Sequence, residues 1–289
     1  ITVPENLALR ERGVQPGDPL PGNHGVIQVD LLQSAEPLNG RESGVGGFGA
    51  LFRFDPATHP DPVLVSSTDG VGTKLKVALA LGRYDTIGID LVNACLNDIL
   101  VSGADPLFFL DYLALGDLRS ELVEEIVGGI ASGCAAAGMP LVGGGTAQMP
   151  DLYRGEDFDL AGFVVGVVSR ADLIDGSGVR RGDVVLGLPS SGLHTNGYTL
   201  ARRILPETIW SEPMPDGFAT IGDALLEPHR SYLDETRMLR RAVRDEGADV
   251  RAFAHLTGGG WEGNLPRTLL AGLGAEIETG SWAIPPIFT

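Results

Sequence analysis

Six consecutive residues, Asp69-Gly70-Val71-Gly72-Thr73-Lys74, crowd a carboxylate, two glycines, a hydroxyl and an ammonium into one short stretch. That set suits an anion held with a divalent cation. Gly70 and Gly72 let backbone amides converge on phosphate oxygens, Lys74 supplies a compact positive charge, and Asp69 offers hard oxygens to a metal. The spacing is not that of a Walker A loop, which needs G-x-x-x-x-G-K-[ST]. An ordinary strand-to-helix turn with Asp69 as its cap stands beside this reading. Of 21 basic residues only Lys74 and Lys76 are lysines, so the chain keeps both ammonium groups at this one place. Lys76 reads equally well as part of a solvated helix face.

Five more constellations carry candidate chemistry. In "TIGIDLVNACLNDILVSG" (86–103), helical spacing puts Asp90 and Asn97 within about 20° of each other, with Asn93, Ala94 and Asp98 flanking them. Short Asp and Asn side chains on a helix suit Mg²⁺ or a bound polyol, although a plain solvated stripe has the same pattern; Asp98 is the favoured metal ligand. Asp111 falls inside an apolar strand, "PLFFLDYLAL", as either half of an ion pair or a site residue. "LVGGGTAQMP" reads as a strand ending in a glycine turn, with Gly144 and Thr146 as candidates. "PSSGLHTNGYTL" places His194, Thr195 and Asn196 in a Ser- and Gly-rich turn. "HLTGGGWEGNLPR" opens a helix with Thr257, Gly258, Gly259 and Gly260, amides arranged for an anion. Four glycine turns, each after a strand, exceed what folding needs and point to a multiply phosphorylated ligand or to two phosphorylated ligands. No Ser-His-Asp, CxxC or HExxH pattern is present, so the chemistry expected is phosphoryl transfer by positioning and metal.

These residues must be held by a framework, and the periodicity supplies one. Strands are expected at 62–66, 106–114, 139–143 and 158–168, with helices at 73–81, 85–102 and 119–137. Gly82, Gly103 and Gly138 stand where helices should stop. After a polar stretch at 169–183 the pattern predicts a strand at 184–188, a helix from 196, a long helix over 228–246, a strand at 251–256 and a helix opening near Trp261. Alternating strands and helices give an α/β class, read as two related α/β domains over 1–168 and 169–289. The 289 residues suffice for two cores. A net charge of −17 argues against a nucleic-acid or anionic-membrane partner. No apolar run reaches membrane-spanning length, the first residues lack a signal-peptide core, and Cys95 and Cys134 read as buried small hydrophobes, so a cytoplasmic protein is expected.

Taken together, "GVGGFGALF", "STDGVGTKLKVA", "DTIGIDLVNACLNDILVSGADPLFFLDYLA", "GEDFDLAGFVVGVV", "PSSGLHTNGYTLARRIL" and "HLTGGGWEGNLPR" resemble the phosphoribosylformylglycinamidine cyclo-ligases of purine biosynthesis. The resemblance runs from about Gly44 onward. It implies a homodimer whose N-terminal strands from both subunits build a central barrel. It further implies ATP-dependent ring closure of formylglycinamidine ribonucleotide through an iminophosphate. By the family's motifs, Gly46, Gly47, Phe48 and Gly49 would cover the ATP phosphates, Asp69 and Asp98 would hold Mg²⁺, and Lys74 would neutralise phosphate charge. His194 and Asn196 would lie near the reacting centre, and Thr257 to Gly260 would cradle a phosphate, that of the substrate. Two departures stand out: the family's "GGETAEMPG" is "GGGTAQMPD" here, with Gly145 and Gln148 in place of acids. The family also continues beyond "WAIPPIFT", so the second domain is expected to be incomplete at that end.

Other ATP-using members of the same superfamily, such as selenophosphate synthetase, thiamine-phosphate kinase and formylglycinamidine ribonucleotide synthetase, are the nearest alternatives. The first would want a reactive cysteine near a glycine-rich N-terminal loop, and neither Cys95 nor Cys134 is so placed. A non-catalytic nucleotide-binding protein is the alternative of a different class. Loss of the acid at Gly145 favours it, and retention of Asp69, Lys74, Asp98 and His194 favours an enzyme.

Overall fold

The computed structural model describes residues 49–214 and 217–289. The loop residues Gly46, Gly47 and Phe48 lie outside them. Four strands, β1 (Pro62–Gly70), β2 (Asp105–Leu115), β3 (Leu141–Gln148) and β4 (Phe158–Ser169), form one mixed sheet in the order β1-β4-β2-β3. The β1–β4 and β4–β2 pairs are antiparallel, and β2–β3 is parallel. The parallel pair needs a crossover, supplied by helix α3 (Ser120–Ala136). Between β1 and β2 lie α1 (Leu75–Leu81) and α2 (Ile87–Leu100). All four strands expected in the first half form, β1 and β3 running four and five residues past their expected ends, and both long helices fall within two residues of their expected ends.

The sheet is covered on one face by α2 and α3. Leu91, Cys95 and Ile99 of α2, Ile126 and Ile130 of α3 and Phe109, Leu113, Leu160 and Val164 of the sheet are all buried in one core. Each buried Leu or Ile contributes roughly 2 kcal/mol on transfer. The helices touch backbone to backbone where Gly88 meets α3. A Cβ on Gly88 would come within 2.2 Å of both the Ile126 carbonyl oxygen and the Ile130 nitrogen. On the other sheet face Phe52 packs against Phe108, and among the described residues the rest is largely uncovered: Leu64 is 64% exposed, Phe163 43% and Tyr112 41%.

Two expectations about strands are corrected. The glycines of "LVGGGTAQ" do not end β3 but lie inside it, because the parallel ladder with β2 runs from Phe109↔Leu141 to Leu115↔Gln148. A Cβ on Gly144 would sit 2.1 Å from Asp111 Oδ1, so the missing side chain makes room for the neighbouring carboxylate. The strands expected at 184–188 and 251–256 do not form. Val184, Val185 and Leu186 are exposed and have no strand beside them among the described residues, and a β-segment without a ladder leaves its amides to water. Among the described residues the second half is built of helices: α4 (Tyr198–Ile204), α5 (Ile221–Leu226), α6 (Leu233–Asp245) and α7 (Gly260–Asn264). The long helix expected from 228 begins only at Leu233, because residues 227–232 run across α2 instead. The observed class is therefore mixed α/β, with its sheet in the first half.

The Gly88 contact allows no lateral escape, since its neighbours are main-chain atoms. Gly88→Ala is expected to lower the unfolding free energy by about 3 kcal/mol or more, at the upper end for overpacking. Chemical denaturation measures it, and a loss below about 1 kcal/mol would show that the helices can slide apart.

Candidate functional site

The site begins where β1 ends. Ser67 and Asp69, two residues apart, leave β1 on the side of α2. Asp69 Oδ1 accepts the Gly70 N–H at 2.8 Å, and a single 3₁₀ turn (Gly72–Lys74) leads into α1. Gly72 has φ +67, in the left-handed region that favours glycine. The Thr73 hydroxyl lies 3.1 Å from that of Thr199, which ties the turn to α4.

Lys74 does not face outward from this turn. Its side chain is wholly buried, with Nζ 2.8 Å from Asp90 Oδ1 on α2 and 2.6 Å from the Glu227 carbonyl, and it lies over the Tyr198 ring. Burial pushes the ammonium toward its neutral form and raises the Asp90 carboxyl, while their mutual attraction works against both shifts. Asp90 Oδ2 has no partner among the described residues. The polar stripe of α2 is thus not solvated: Asp90, Asn93 and Asn97 are all buried beneath residues 227–232. Asp90 Oδ1 accepts the His229 N–H, Asn93 Nδ2 donates to the His229 carbonyl, and Asn97 bonds the Arg230 carbonyl and the Tyr232 N–H. Polar atoms expected to meet a cofactor instead hold a segment of the same chain.

That segment carries His229 into a group of three imidazoles. The rings of His194 and His229 are stacked with centroids 4.1 Å apart, and His255 lies 5.6 Å from His229. Burial first, then Lys74 and the other cations nearby, pull His194 down to about 4. Burial and the neighbouring His194 pull His229 down to about 2. Both rings are neutral at physiological pH. His194 has φ +55, a strained setting for a non-glycine residue, and its Nε2 accepts the Ser191 N–H at 3.1 Å. His255 Nδ1 lies 2.9 Å from Asp98 Oδ1, and Ser67 Oγ donates to Asp98 Oδ2 at 2.8 Å. Burial alone would raise the Asp98 carboxyl, but these two hydrogen bonds together with the nearby charges of His255 and Arg267 hold it below the usual range.

The remaining candidates sort by position. Asn196 Oδ1 packs against Gly258, 3.0 Å from where a Cβ would stand, so the 191–196 turn abuts the Thr257–Gly260 turn. There Thr257 Oγ1 donates to Asn264 Oδ1 of α7, which binds the Gly260 carbonyl in return. Asp111, Gly144 and Thr146 lie elsewhere. Asp69, Gly162, Asp111 and Gly144 form one register row across the four strands. At ~4.8 Å per strand, Asp111 stands about 10 Å and Gly144 about 14 Å from Asp69. The two departures, Gly145 and Gln148, are both in β3. Gly49 begins the described chain and its loop neighbours lie outside it. Among the described residues no three His, Cys, Asp or Glu side chains cluster as a metal cage. His229 and His255 carried no sequence signal comparable to the glycine turns. The "HL" before "TGGG" could have pointed to His255, and nothing in "EPHRSY" marks His229.

Asp111 is buried against the helix layer, and burial pushes its carboxyl up to about 7. Its folded value exceeds the unfolded one, near 3.9, so its contribution to stability is complete below that value and is lost as pH rises toward 7. Asp111→Asn is therefore expected to gain stability relative to the parent from about pH 4 to about pH 7, by roughly 2–4 kcal/mol, with no further gain above. Denaturation midpoints at pH 5 and pH 8 check it, and an equal difference at both pH values would refute it.

The family described as AIR synthase related protein matches this chain twice, its N-terminal domain over residues 49–168 and its C-terminal domain over 180–289. A phosphoribosylformylglycinamidine cyclo-ligase of Desulfitobacterium hafniense is 52% identical over 268 residues, which is 92% of this chain and 78% of that protein. One of Anaeromyxobacter dehalogenans is 53% identical over 288 residues, 98% of this chain and 80% of that one. Among solved structures, a thiamine monophosphate kinase from Aquifex aeolicus aligns over 62% of this chain and 55% of its own, at 22% identity and a TM-score of 0.44. With half its residues identical to those relatives over nearly its whole length, the chain belongs to the phosphoribosylformylglycinamidine cyclo-ligase family.

Proposed function

We propose that this protein closes the imidazole ring of aminoimidazole ribonucleotide from formylglycinamidine ribonucleotide, using ATP and releasing ADP and phosphate. The observation that carries the reading is the joining of three turns, Asp69–Lys74, Ser191–Asn196 and Thr257–Gly260, around the histidine group, in a chain with relatives of that name. The γ-phosphoryl group passes to the formamide oxygen, and the resulting iminophosphate carbon is attacked by a substrate nitrogen. The carbon–oxygen bond then breaks, and the oxygen leaves as part of the phosphate ion. Catalysis of this kind rests on placement and charge, not on a covalent protein intermediate.

Asp69 and Asp98 offer hard carboxylate oxygens on one side of β1, a set that fits Mg²⁺ shared with ligand phosphates. Held there by Asp69 and Asp98, the metal would supply positive charge against that of the phosphates. The Gly72 amide and those at Thr257 to Gly259 would take phosphate oxygens, the Gly70 and Gly260 N–H groups being already given to Asp69 Oδ1 and the Thr257 carbonyl. His194, held through Nε2, keeps its proton on Nδ1 and would face the reacting atoms as a neutral donor. Lys74 supports this arrangement from the interior. Asp111, Gly144 and Thr146, on strands two and three removed, would serve the site only through a ligand long enough to span them.

The open sheet face, with Leu64, Tyr112 and Phe163, is the surface we assign to a second copy and to the dimeric barrel. A cytoplasmic location follows from the proposed role. No helix among the described residues is long and apolar enough to cross a membrane.

ADP release from ATP and Mg²⁺ is expected to require formylglycinamidine ribonucleotide, and to fall at least ~100-fold in Asp69→Asn. A parent protein that binds ATP but shows no substrate-dependent release would sink the reading. Sedimentation should give a dimer for the parent and a monomer for Leu64→Asp; a monomeric parent would remove the assignment of the sheet face.

A further inference from the structure

His229 is held at every one of its polar atoms, and the direction of those bonds can be worked out from the backbone. Asn97 Oδ1 receives the Tyr232 N–H at 3.0 Å, and Asn97 Nδ2 reaches the Arg230 carbonyl at 2.8 Å. A peptide N–H only donates and a peptide carbonyl only accepts, so the Asn97 amide has a single orientation. Its second amide hydrogen then points to His229 Nε2, 3.0 Å away. Nε2 must be the acceptor nitrogen, and the proton of the neutral ring sits on Nδ1. From there it is donated to Thr195 Oγ1 at 3.2 Å. Asp90 and Asn93 hold the His229 main chain on both sides.

Once Oγ1 has accepted that bond, the Thr195 hydroxyl hydrogen is left to donate away from His229. No protein acceptor for it is found among the described residues. Thr195 stands between two of the glycine turns. Its carbonyl lies 3.9 Å from where a Gly72 Cβ would be, and the next residue, Asn196, packs on Gly258. We propose that His229 is a positioning residue that sets the Thr195 hydroxyl as an obligate hydrogen-bond donor to a ligand oxygen held between these turns. The identity of that ligand, the ATP-activated ribonucleotide, rests on the cyclo-ligase reading; the polarity of the relay does not. A donor of fixed direction is useful where an oxygen gains negative charge, because it needs no reorientation when the charge appears.

The polarity is read directly by ¹⁵N NMR of histidine-labelled protein, which distinguishes the two neutral tautomers without turnover. His229 is expected as the Nδ1–H form, and finding it as Nε2–H overturns the proposal. In the substrate-dependent ADP assay, Thr195→Val should lower kcat/KM by about 10–100-fold, the range for a hydrogen bond to a charged oxygen, while Thr195→Ser stays within about 3-fold of the parent. His229→Asn, whose amide nitrogen can occupy the Nδ1 position, should retain more activity than His229→Leu at matched thermal midpoints. Equal activity of Thr195→Val and Thr195→Ser overturns the proposal. A parent without substrate-dependent turnover removes the cyclo-ligase reading alone, since the tautomer still decides the relay.

Discussion

An ammonium group with no exposure to water cannot stay charged without a partner, and Lys74 meets that demand twice, through Asp90 and the Glu227 carbonyl. Desolvating two such groups costs several kcal/mol, and the gain on pairing offsets it only where the remaining polar atoms are bonded as well. That requirement accounts for the density of bonds around the pair, in which Asp90 Oδ2 alone of the carboxylate oxygens has no partner among the described residues. The His229 N–H completes Asp90 Oδ1, Asn93 and Asn97 take up the backbone of the same segment, and the Tyr198 hydroxyl donates to the Leu225 carbonyl just before it. The segment cannot leave α2 without stranding a buried charge. The position of His229, and through it of His194 and Thr195, follows from this one pair.

A helix buried on two sides is the second consequence. On α2, Leu91, Cys95 and Ile99 face the sheet, while Asp90, Asn93 and Asn97 are buried beneath 227–232. Asn and Asp are weak helix formers, and on this helix they gain in bonding what they lack in propensity. Asp98, one residue beyond Asn97, turns to Ser67 and His255 instead. One helix thus carries both the internal fastening and a carboxylate at the edge of the proposed ligand site.

How much of this could be read from residues alone depended on the range of the determining interaction. β1, α2, β2, α3 and β4 were legible because periodicity and stop signals such as Gly82, Gly103 and Gly138 are local; all three have φ between 62 and 76. The α2 stripe was legible as something other than a solvated face, but not its partner, which lies more than 130 residues away. Lys74 shows the same limit: its type and the turn suggested a phosphate contact, whereas burial directs it inward. The segments 184–188 and 251–256 have strand-like composition, yet a strand exists only where another lies beside it. His229 gave no local signal, because its importance comes from four partners brought from α2 and the 191–196 turn. Three of the four glycine turns, by contrast, were legible because a close backbone approach leaves its mark on residue type, while the glycines at 143–145 lie inside β3.

Synthesis order gives the fastening by residues 227–232 a temporal meaning. A nascent chain that has passed Ser169 already contains the whole sheet and both covering helices, enough to collapse around Leu91 and Ile126. Lys74 and Asp90 are then present without Glu227 and His229, and Asp98 without His255, partners that emerge 139 to 157 residues later. Closing loops of that length is slow compared with forming the local elements. The proposed ligand surface is therefore among the last features of the molecule to mature, and a chain halted short of residue 227 would lack the groups that complete it.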